Sequence, residues 1–214
     1  GDSGLQISGG GHHNKILNCD SYDNYDPGTD GGNADGFSPK LDVGDMNEFH
    51  GCRAWHNSDD GWDLFGNQYS VIIDSCWTWS NGFNKGNGNG FKTGGNYTTA
   101  TVTLTNCLCF NNRKKGFDQN HNMGSVTILN CTSYNNDYGN FYFYEVPTGG
   151  THTFKNNISY VSRFRGDSIQ AQCVQANNSW LIPELKITSS DFLSLDTTLA
   201  LTPRKPDGGL PDIP

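Results

Sequence analysis

The chain has 214 residues with 14 basic and 22 acidic side chains, and its formal net charge at pH 7 is −8. This balance argues against nucleic-acid binding, which is typical of domains with a basic stripe, and the lack of any run of about 18 apolar residues argues against a membrane span. Few lysines and glutamates beside 27 glycines and 12% aromatic residues favour an all-β chain over a helical one.

A short motif recurs along the chain and defines its organisation. Each copy has a cysteine, an aromatic residue three positions later and an asparagine five positions later. Successive cysteines of the motif are 33, 24, 31 and 24 residues apart. β-rich stretches such as 71–73, 102–104 and 126–129 precede the motif, and a glycine followed by an aromatic residue comes after most copies. The five complete copies contain Cys19, Cys52, Cys76, Cys107 and Cys131, and a decayed sixth copy lies at 156–160.

A repeat of about 24 residues with short strands and no helix predicts one coil of a right-handed parallel β-helix, a solenoid in which equivalent residues stack at roughly 4.8 Å. The cysteines then form an inward ladder of free thiols, although seven cysteines also raise the possibility of disulfides. The aromatic stack is predicted to contain Tyr22, Trp55, Trp79, Phe110 and Tyr134. The asparagine ladder is predicted to contain Asn24, Asn57, Asn81, Asn112 and Asn136, at a turn where side-chain amides bond from coil to coil. The sequence disfavours a leucine-rich repeat fold, because the leucine pattern of that fold is absent. It also disfavours a β-propeller, because the blades of a propeller are antiparallel and longer than this repeat.

The repeat also predicts the domain organisation. Residues 1–165 are expected to form β-helix coils, and residues 166–214 an irregular C-terminal segment that packs along the helix. The chain opens part-way through a coil, at Gly4-Leu5-Gln6, and a solenoid needs its open ends covered. We therefore expect this chain to be part of a longer protein.

The Gly-aromatic turns align acidic residues of neighbouring coils. Asp35 and Asp60 each precede the glycine, and Asp63 follows on the same coil as Asp60. With Asp59, these positions bring four carboxylates within about two coil spacings, roughly 10 Å. Such carboxylates repel one another unless a cation lies between them, and an irregular cage of oxygens suits Ca²⁺ better than Mg²⁺. The alternatives are a purely structural calcium ion or carboxylates that point into solvent.

Lys92 is predicted to stack beside Asp63 on the next coil. A nearby divalent cation and partial burial would both lower the pKa of this lysine, which would let it act as a neutral base. The alternative is an ordinary surface charge. Farther along the solenoid, Lys115 continues the column of Asp35 and Asp60, Asp118 continues the column of Asp63 and Lys92, and Arg113 belongs to the same basic run as Lys115. These three residues are candidates for binding a neighbouring acidic group or a hydroxyl.

Three segments together resemble the signature of polysaccharide lyase family 9. They are NADGF at 33–37, DDGWDL at 59–64 and GNGNGFK at 86–92, and the resemblance extends over roughly residues 1–160. The resemblance implies a right-handed parallel β-helix, a Ca²⁺ site formed by Asp35, Asp59, Asp60 and Asp63, and Lys92 as catalytic base. The alignment of equivalent positions on neighbouring coils leads to the same five residues without the resemblance.

The implied activity is β-elimination on a galacturonate-containing pectin, either polygalacturonate or rhamnogalacturonan I. Calcium neutralises the uronate carboxylate, Lys92 removes the proton at C5, and the glycosidic oxygen at C4 leaves. Alkaline pH should favour the reaction because the lysine must be neutral. We expect a monomer that is secreted, periplasmic or on the surface of a bacterial cell, with an acidic polysaccharide as its partner. The alternatives are a β-helix glycoside hydrolase, which needs two or three carboxylates, and a non-catalytic carbohydrate-binding or adhesin β-helix with structural calcium.

Overall fold

A computed structural model describes residues 2–213, whose strands β1 to β20 form three parallel sheets. The first sheet consists of β1 (Leu5–Ile7), β4 (Phe37–Pro39), β7 (Trp62–Asp63), β10 (Phe91–Lys92), β13 (Phe117–Asp118), β16 (Phe141–Phe143) and β19 (Ser168–Ile169). The second consists of β2 (Lys15–Leu17), β5 (Asn47–His50), β8 (Val71–Asp74), β11 (Val102–Thr105), β14 (Val126–Leu129), β17 (Thr153–Lys155) and β20 (Val174–Ala176). The third consists of β3 (Asp20–Tyr22), β6 (Arg53–Trp55), β9 (Trp77–Trp79), β12 (Leu108–Phe110), β15 (Thr132–Asn136) and β18 (Ile158–Ser162).

Six coils give one strand to each sheet, and the last coil gives β19 to the first sheet and β20 to the second, which confirms the predicted parallel β-helix. The remaining elements are short 3₁₀ turns at Ser179–Leu181, Ser189–Asp191 and Thr197–Leu201. Within the described part of the chain, no helix is long and apolar enough to cross a membrane.

The predicted cysteine ladder lies inside the coils, and the predicted aromatic stack lies on the outer face of the third sheet. Cys52, Cys76, Cys107 and Cys131 are buried, and all seven cysteines are free thiols. The predicted aromatic stack has ring centroids 4.3 to 5.6 Å apart and nearly parallel planes. A second stack, buried inside the first sheet, is formed by the residues after the glycines: Phe37, Trp62, Phe91, Phe117 and Phe141.

The predicted asparagine ladder is also present. The first four side chains of the ladder donate from Nδ2 to Oδ1 of the asparagine on the next coil, at 2.7 to 3.0 Å. The same Oδ1 atoms accept the backbone N–H groups of the preceding coil, so the ladder satisfies two buried donors per step.

Replacing Asn112 with alanine is expected to destabilise the fold by about 3 kcal/mol, because the backbone N–H and Nδ2 of Asn81 lose their shared acceptor in a buried position. Asn24→Ala is the matched control, since Asn24 is the half-buried first rung and its loss should cost about 1 kcal/mol or less. Urea unfolding at a fixed calcium concentration measures both. Equal losses for the two variants would show that the ladder hydrogen bonds do not set the difference.

A second, unpredicted asparagine ladder lies on the surface. Asn106, Asn130, Asn156 and Asn177 have φ values between 54° and 58°, a left-handed conformation that asparagine tolerates better than most residues. Their side-chain amides also bond from coil to coil, at 3.1 to 3.5 Å. Each of these four asparagines therefore serves the backbone turn that follows a strand of the second sheet.

The sheets continue past the predicted boundary at residue 165. The strands β19 and β20 extend the first and second sheets to Ala176, although their segment carries no copy of the cysteine motif. The later part of the predicted 166–214 segment packs against the third sheet. There Ala200 contacts the Trp79 stack, and the Arg53 guanidinium donates to the carbonyls of Ala200 and Thr202 at 3.0 and 2.9 Å.

Burial of one histidine predicts acid sensitivity. His152 is fully buried beside Phe143, accepts the N–H of Val126 at 3.2 Å, and has no hydrogen-bond partner at Nε2 among residues 2–213. Burial lowers the pKa of His152 to about 4 from an ordinary 6.5, so below pH 6.5 the unfolded chain binds a proton that the folded chain refuses.

The contribution of neutral His152 to the free energy of unfolding is fully present above pH 6.5. It is lost as the pH falls toward about 4, by about 3 kcal/mol in total. His152→Gln keeps an acceptor without a titrating ring, so its unfolding free energy should fall less over this interval. Urea unfolding of both proteins in chelator at several pH values measures the difference, and parallel pH profiles would rule the histidine out.

Candidate active site

Strand register brings the predicted site residues together at one face of the first sheet. Asp63 and Lys92 are direct Cα partners, and Asp118 is the partner of Lys92 on the next coil. Since Trp62 and Phe91 point into the core, the residues that follow them point outward. The alignment of the coils by their Gly-aromatic turns holds as far as the coil of Lys115. One coil later the alignment is offset by one residue, so that Gly139 pairs with Lys115 and Tyr142 with Asp118.

The turns before the strands leave no room for larger residues. A Cβ atom at Gly61 would lie 2.0 Å from Thr78 Oγ1 and 2.7 Å from the carbonyl oxygen of Gly90. Glycine is therefore required where Asp60 enters the sheet, and the tight stacking holds Asp35 and Asp60 on adjacent coils.

Three of the four predicted metal ligands converge. Oxygen atoms of Asp35, Asp60 and Asp63 lie within 4.8 Å of one another, and all three side chains are buried. Asp35 accepts the N–H of Asp60 at 3.0 Å. Asp60 Oδ1 accepts the backbone and side-chain N–H groups of Asn89 at 2.6 and 2.9 Å. We call these three residues the carboxylate cage.

Asp59 is held differently. Its two oxygens accept the backbone N–H groups of Asn33 at 2.9 Å and Asn87 at 2.5 Å, and its side chain lies outside the carboxylate cage while lining the adjoining cavity. The hydrogen bonds tie the loop at 84–89 to the turn at Asn33. The role of Asp59 as a ligand stays a prediction.

Two ammonium groups flank the cage. Lys92 Nζ lies 3.2 Å from Asp60 Oδ2 and 3.1 Å from Asp63 Oδ1. On the other side, Lys40 Nζ lies 2.7 Å from Asp35 Oδ2 and 3.1 Å from Asp63 Oδ2. Sequence reasoning missed Lys40, although it follows Ser38 by two positions and so shares its side of the strand.

The charges of this cluster shift the pKa values in predictable directions. Burial and the neighbouring Asp63 raise the pKa of Asp35 to about 6, and burial raises the pKa of Asp60 well above its ordinary value. For Lys92, burial alone would lower the pKa, but the charges of Asp60 and Asp63 outweigh it and raise the pKa well above the usual range. The carboxylate charges thus reverse the lowered pKa of Lys92 that burial alone would produce, and a divalent cation that offset those charges would act in the opposite direction.

The chemistry of the donors suits a calcium ion. The cage offers only oxygen ligands, which Ca²⁺ prefers, and Asp60 Oδ2 is buried and accepts no hydrogen bond among residues 2–213, although the Lys92 ammonium lies 3.2 Å away. An open cavity of about 520 Å³ adjoins the cage and is lined by Lys40, Asp59, Asp63, Phe65, Asn87 and Lys92. The predicted base therefore faces one solvent-accessible space together with Asp59 and Asp63, whereas Asp35 and Asp60 are fully buried and do not line it.

The predicted substrate-binding residues divide into two groups. Lys115 Nζ lies 3.0 Å from Asp118 Oδ2 and 4.6 Å from the ring centroid of Tyr142, on the outer face of the sheet beyond Lys92. Arg113 instead donates to the backbone carbonyls of Asn84 and Gly86 and braces the loop at 84–89. The structure brings Lys115 and Asp118 into the row of site residues, whereas Arg113 holds the neighbouring loop.

Comparison with known proteins identifies relatives of this fold. A family model described as "Pel9A-like, right handed beta helix region" matches residues 1–162. A protein named Pectate lyase L from Dickeya chrysanthemi is 44% identical over 99% of this chain and 50% of its own length.

Two solved structures are also similar. One, titled "Crystal structure of pectate lyase Pel9A", has a TM-score of 0.92 and 44% identity over 99% of this chain and 54% of that one. The other, titled "Rhamnogalacturonan lyase", has a TM-score of 0.85 and 34% identity over 98% of this chain and 58% of that one. The chain spans about half the length of the curated relatives it matches most fully.

Proposed function

We propose that this chain, which belongs to the Pel9A-like family of right-handed β-helices, carries the active site of a calcium-dependent lyase. The substrate of that lyase is a galacturonate-containing pectin. The observation that carries the proposal is the contact of Lys92 Nζ with Asp60 and Asp63, at the wall of an open cavity of about 520 Å³. The names of the relatives support a pectic substrate, either polygalacturonate or rhamnogalacturonan. Because such a polymer does not cross membranes, the protein acts where the polymer is: secreted, periplasmic or at the cell surface.

Calcium would be held by Asp35, Asp60 and Asp63, and Asp59 stands beside them at the cavity wall. When bound, the ion neutralises the uronate carboxylate and stabilises the negative charge that develops on it during proton removal. The cage supplies fixed oxygens for this purpose, since Asp35 and Asp60 are oriented by hydrogen bonds from Asp60 N–H and Asn89.

Lys92 would take the proton from C5 of the uronate, after which the C4–C5 double bond would form, the C4–oxygen bond would break and the leaving oxygen would take up a proton from solvent. Asp60 and Asp63 fix the position of Nζ, and the side chain is 7% exposed, so the base is oriented and largely shielded from water. The carboxylate charges that raise the pKa of this lysine are those that a divalent cation would offset, which favours its neutral form in the loaded site.

Lys115 and Asp118 would bind the next sugar along the solenoid. Lys115→Met is expected to raise KM about tenfold, the value of one charge-assisted hydrogen bond, and to leave kcat within about twofold. Lys155→Met, an exposed site on the second sheet, is the control for loss of one positive charge. Steady-state kinetics on the cleaved polymer measures both variants, and an unchanged KM for Lys115→Met would remove this residue from the binding site.

Geometry disfavours a hydrolase. The three carboxylates have oxygens within 4.8 Å of one another, whereas glycosidases separate their acid and base by about 5 to 9.5 Å across the scissile bond. Asp63 also has both of its oxygens in contact with ammonium groups, those of Lys40 and Lys92. Neither feature suits a general acid.

Ultraviolet absorbance of the unsaturated product tests the proposal. The full protein is mixed with polygalacturonate and, separately, with rhamnogalacturonan I at alkaline pH, first with calcium and then with chelator. A rise on one polymer that stops with chelator supports the lyase and identifies its substrate. Flat traces with folded, calcium-loaded protein would contradict it, and a reducing-sugar assay would then separate a hydrolase from a non-catalytic binder.

A further inference from the structure

A second buried lysine contacts the carboxylate cage and is not used by the proposed chemistry. Lys40 is 7% exposed, and its Nζ bonds Asp35 Oδ2 and Asp63 Oδ2 at 2.7 and 3.1 Å. Both partners belong to the set that would hold calcium. The lysine therefore occupies coordination positions that the ion needs.

We propose that Lys40 is a displaceable counter-cation, which holds the carboxylate cage in the metal-free protein, yields its place to calcium, and then binds the carboxylate of a uronate in the cavity. This inference rests on the proposed calcium-dependent function. It assigns a positioning and specificity role to a residue outside the predicted set of ligands and base.

Competition follows from the hydrogen bonds of the cage. Asp35 Oδ2 already accepts from Ser3, Ser38 and Lys40, so it has no free position for another cation without losing a donor. Without Lys40, the metal-free protein would keep three close carboxylates with only Lys92 to balance them. An ion bound to Asp35 and Asp63 would lie next to an ammonium group of like charge, and the two repel strongly in a buried site. Calcium binding and the present position of Lys40 thus exclude each other.

The cavity offers the displaced ammonium a destination. Lys40 lines the same 520 Å³ space as Lys92, and a lysine's flexible four-carbon stem lets Nζ move without backbone change. A uronate lying over the cage brings a carboxylate into that space. A mobile cation at its rim then favours acidic sugars over neutral ones.

Calcium titration by calorimetry tests the competition. Lys40→Met keeps a similar length without the charge, so we expect it to bind Ca²⁺ about tenfold more tightly than wild type and to melt at a lower temperature in chelator. Lys40→Arg retains a cation and should not bind more tightly. Lys85→Met, an exposed lysine with 76% of its side chain accessible, gives the same change in net charge away from the cage and should leave both readouts unchanged.

Unchanged or weaker calcium affinity in Lys40→Met would overturn the competition. Uronate binding is tested at saturating calcium, where KM for the acidic polymer should rise several-fold with kcat nearly unchanged, and an unchanged KM would overturn that part. Failure of the proposed function can be distinguished from failure of the role of Lys40. A wild-type protein that binds no Ca²⁺ contradicts the proposed function itself. A wild type that binds Ca²⁺ beside a Lys40→Met variant that gains no affinity contradicts only the role of Lys40.

Discussion

Replacing Lys92 with methionine is expected to lower kcat by about 10³-fold, within the range that general-base catalysis contributes. The methionine side chain fills a similar volume but has no group that accepts the C5 proton. Calcium affinity should not fall, because the substitution removes a positive charge from contact with Asp60 and Asp63. Product absorbance at saturating calcium measures kcat, and calorimetry measures the binding of the ion.

The conditions of this experiment matter because Lys92 also stabilises the cage. Without calcium, its loss leaves Asp60 fully buried beside two other acidic groups, and breaking a buried ion pair typically costs about 3 to 5 kcal/mol. The variant should therefore be less stable in chelator and recover when calcium is added. A Lys92→Met protein that is folded, loaded with calcium and within tenfold of wild-type kcat would exclude Lys92 as the base.

The sequence predicts the solenoid and its ladders well because equivalent residues in a β-helix stack at a fixed spacing. Once Asp63 and Lys92 are assigned to one column, no further information is needed to make them neighbours. The same logic fails where the repeat changes. Asn140 takes the place of the glycine in its coil and accepts from Asn136 Nδ2 at 2.9 Å. An alignment based on glycines is therefore wrong by one residue in this coil.

Long side chains are the other limit. The position of Lys40 on the strand can be read from the repeat, but its Nζ reaches back to Asp35 and across to Asp63, and column assignments do not predict such contacts. Arg113 is similar, since its guanidinium turns to the carbonyl of Gly86 rather than into the row of site residues. The strands that end the described coils were missed for a third reason, because the segment of β19 and β20 has no copy of the cysteine motif and its only asparagine signal lies directly after β20, where Asn177 continues an asparagine ladder.

Replacing Asp60 with asparagine should separate stability from function. Oδ1 can still accept from Asn89, so the shape of the turn is kept, but the cage loses one of three charges. We expect calcium affinity to fall on the order of 100-fold, since ligand charge sets the affinity of such sites, and lyase activity to fall with it.

The metal-free protein should change in the opposite direction. Burial raises the pKa of Asp60 well above its ordinary value, so at neutral pH the unfolded chain ionises this group more readily and the charge opposes folding. Asparagine removes that penalty and leaves two carboxylates opposite two ammonium groups, those of Lys40 and Lys92. Thermal melts in chelator should show an equal or higher melting temperature for Asp60→Asn, whereas added calcium should raise it far less than in wild type.

Asp212→Asn, at a side chain 90% accessible, is the control for the change in net charge. A calcium-induced shift of wild-type size in Asp60→Asn would mean that the ion binds elsewhere. Loss of that shift beside a gain in chelator would mean that the buried charge is retained for the ion at the expense of the fold.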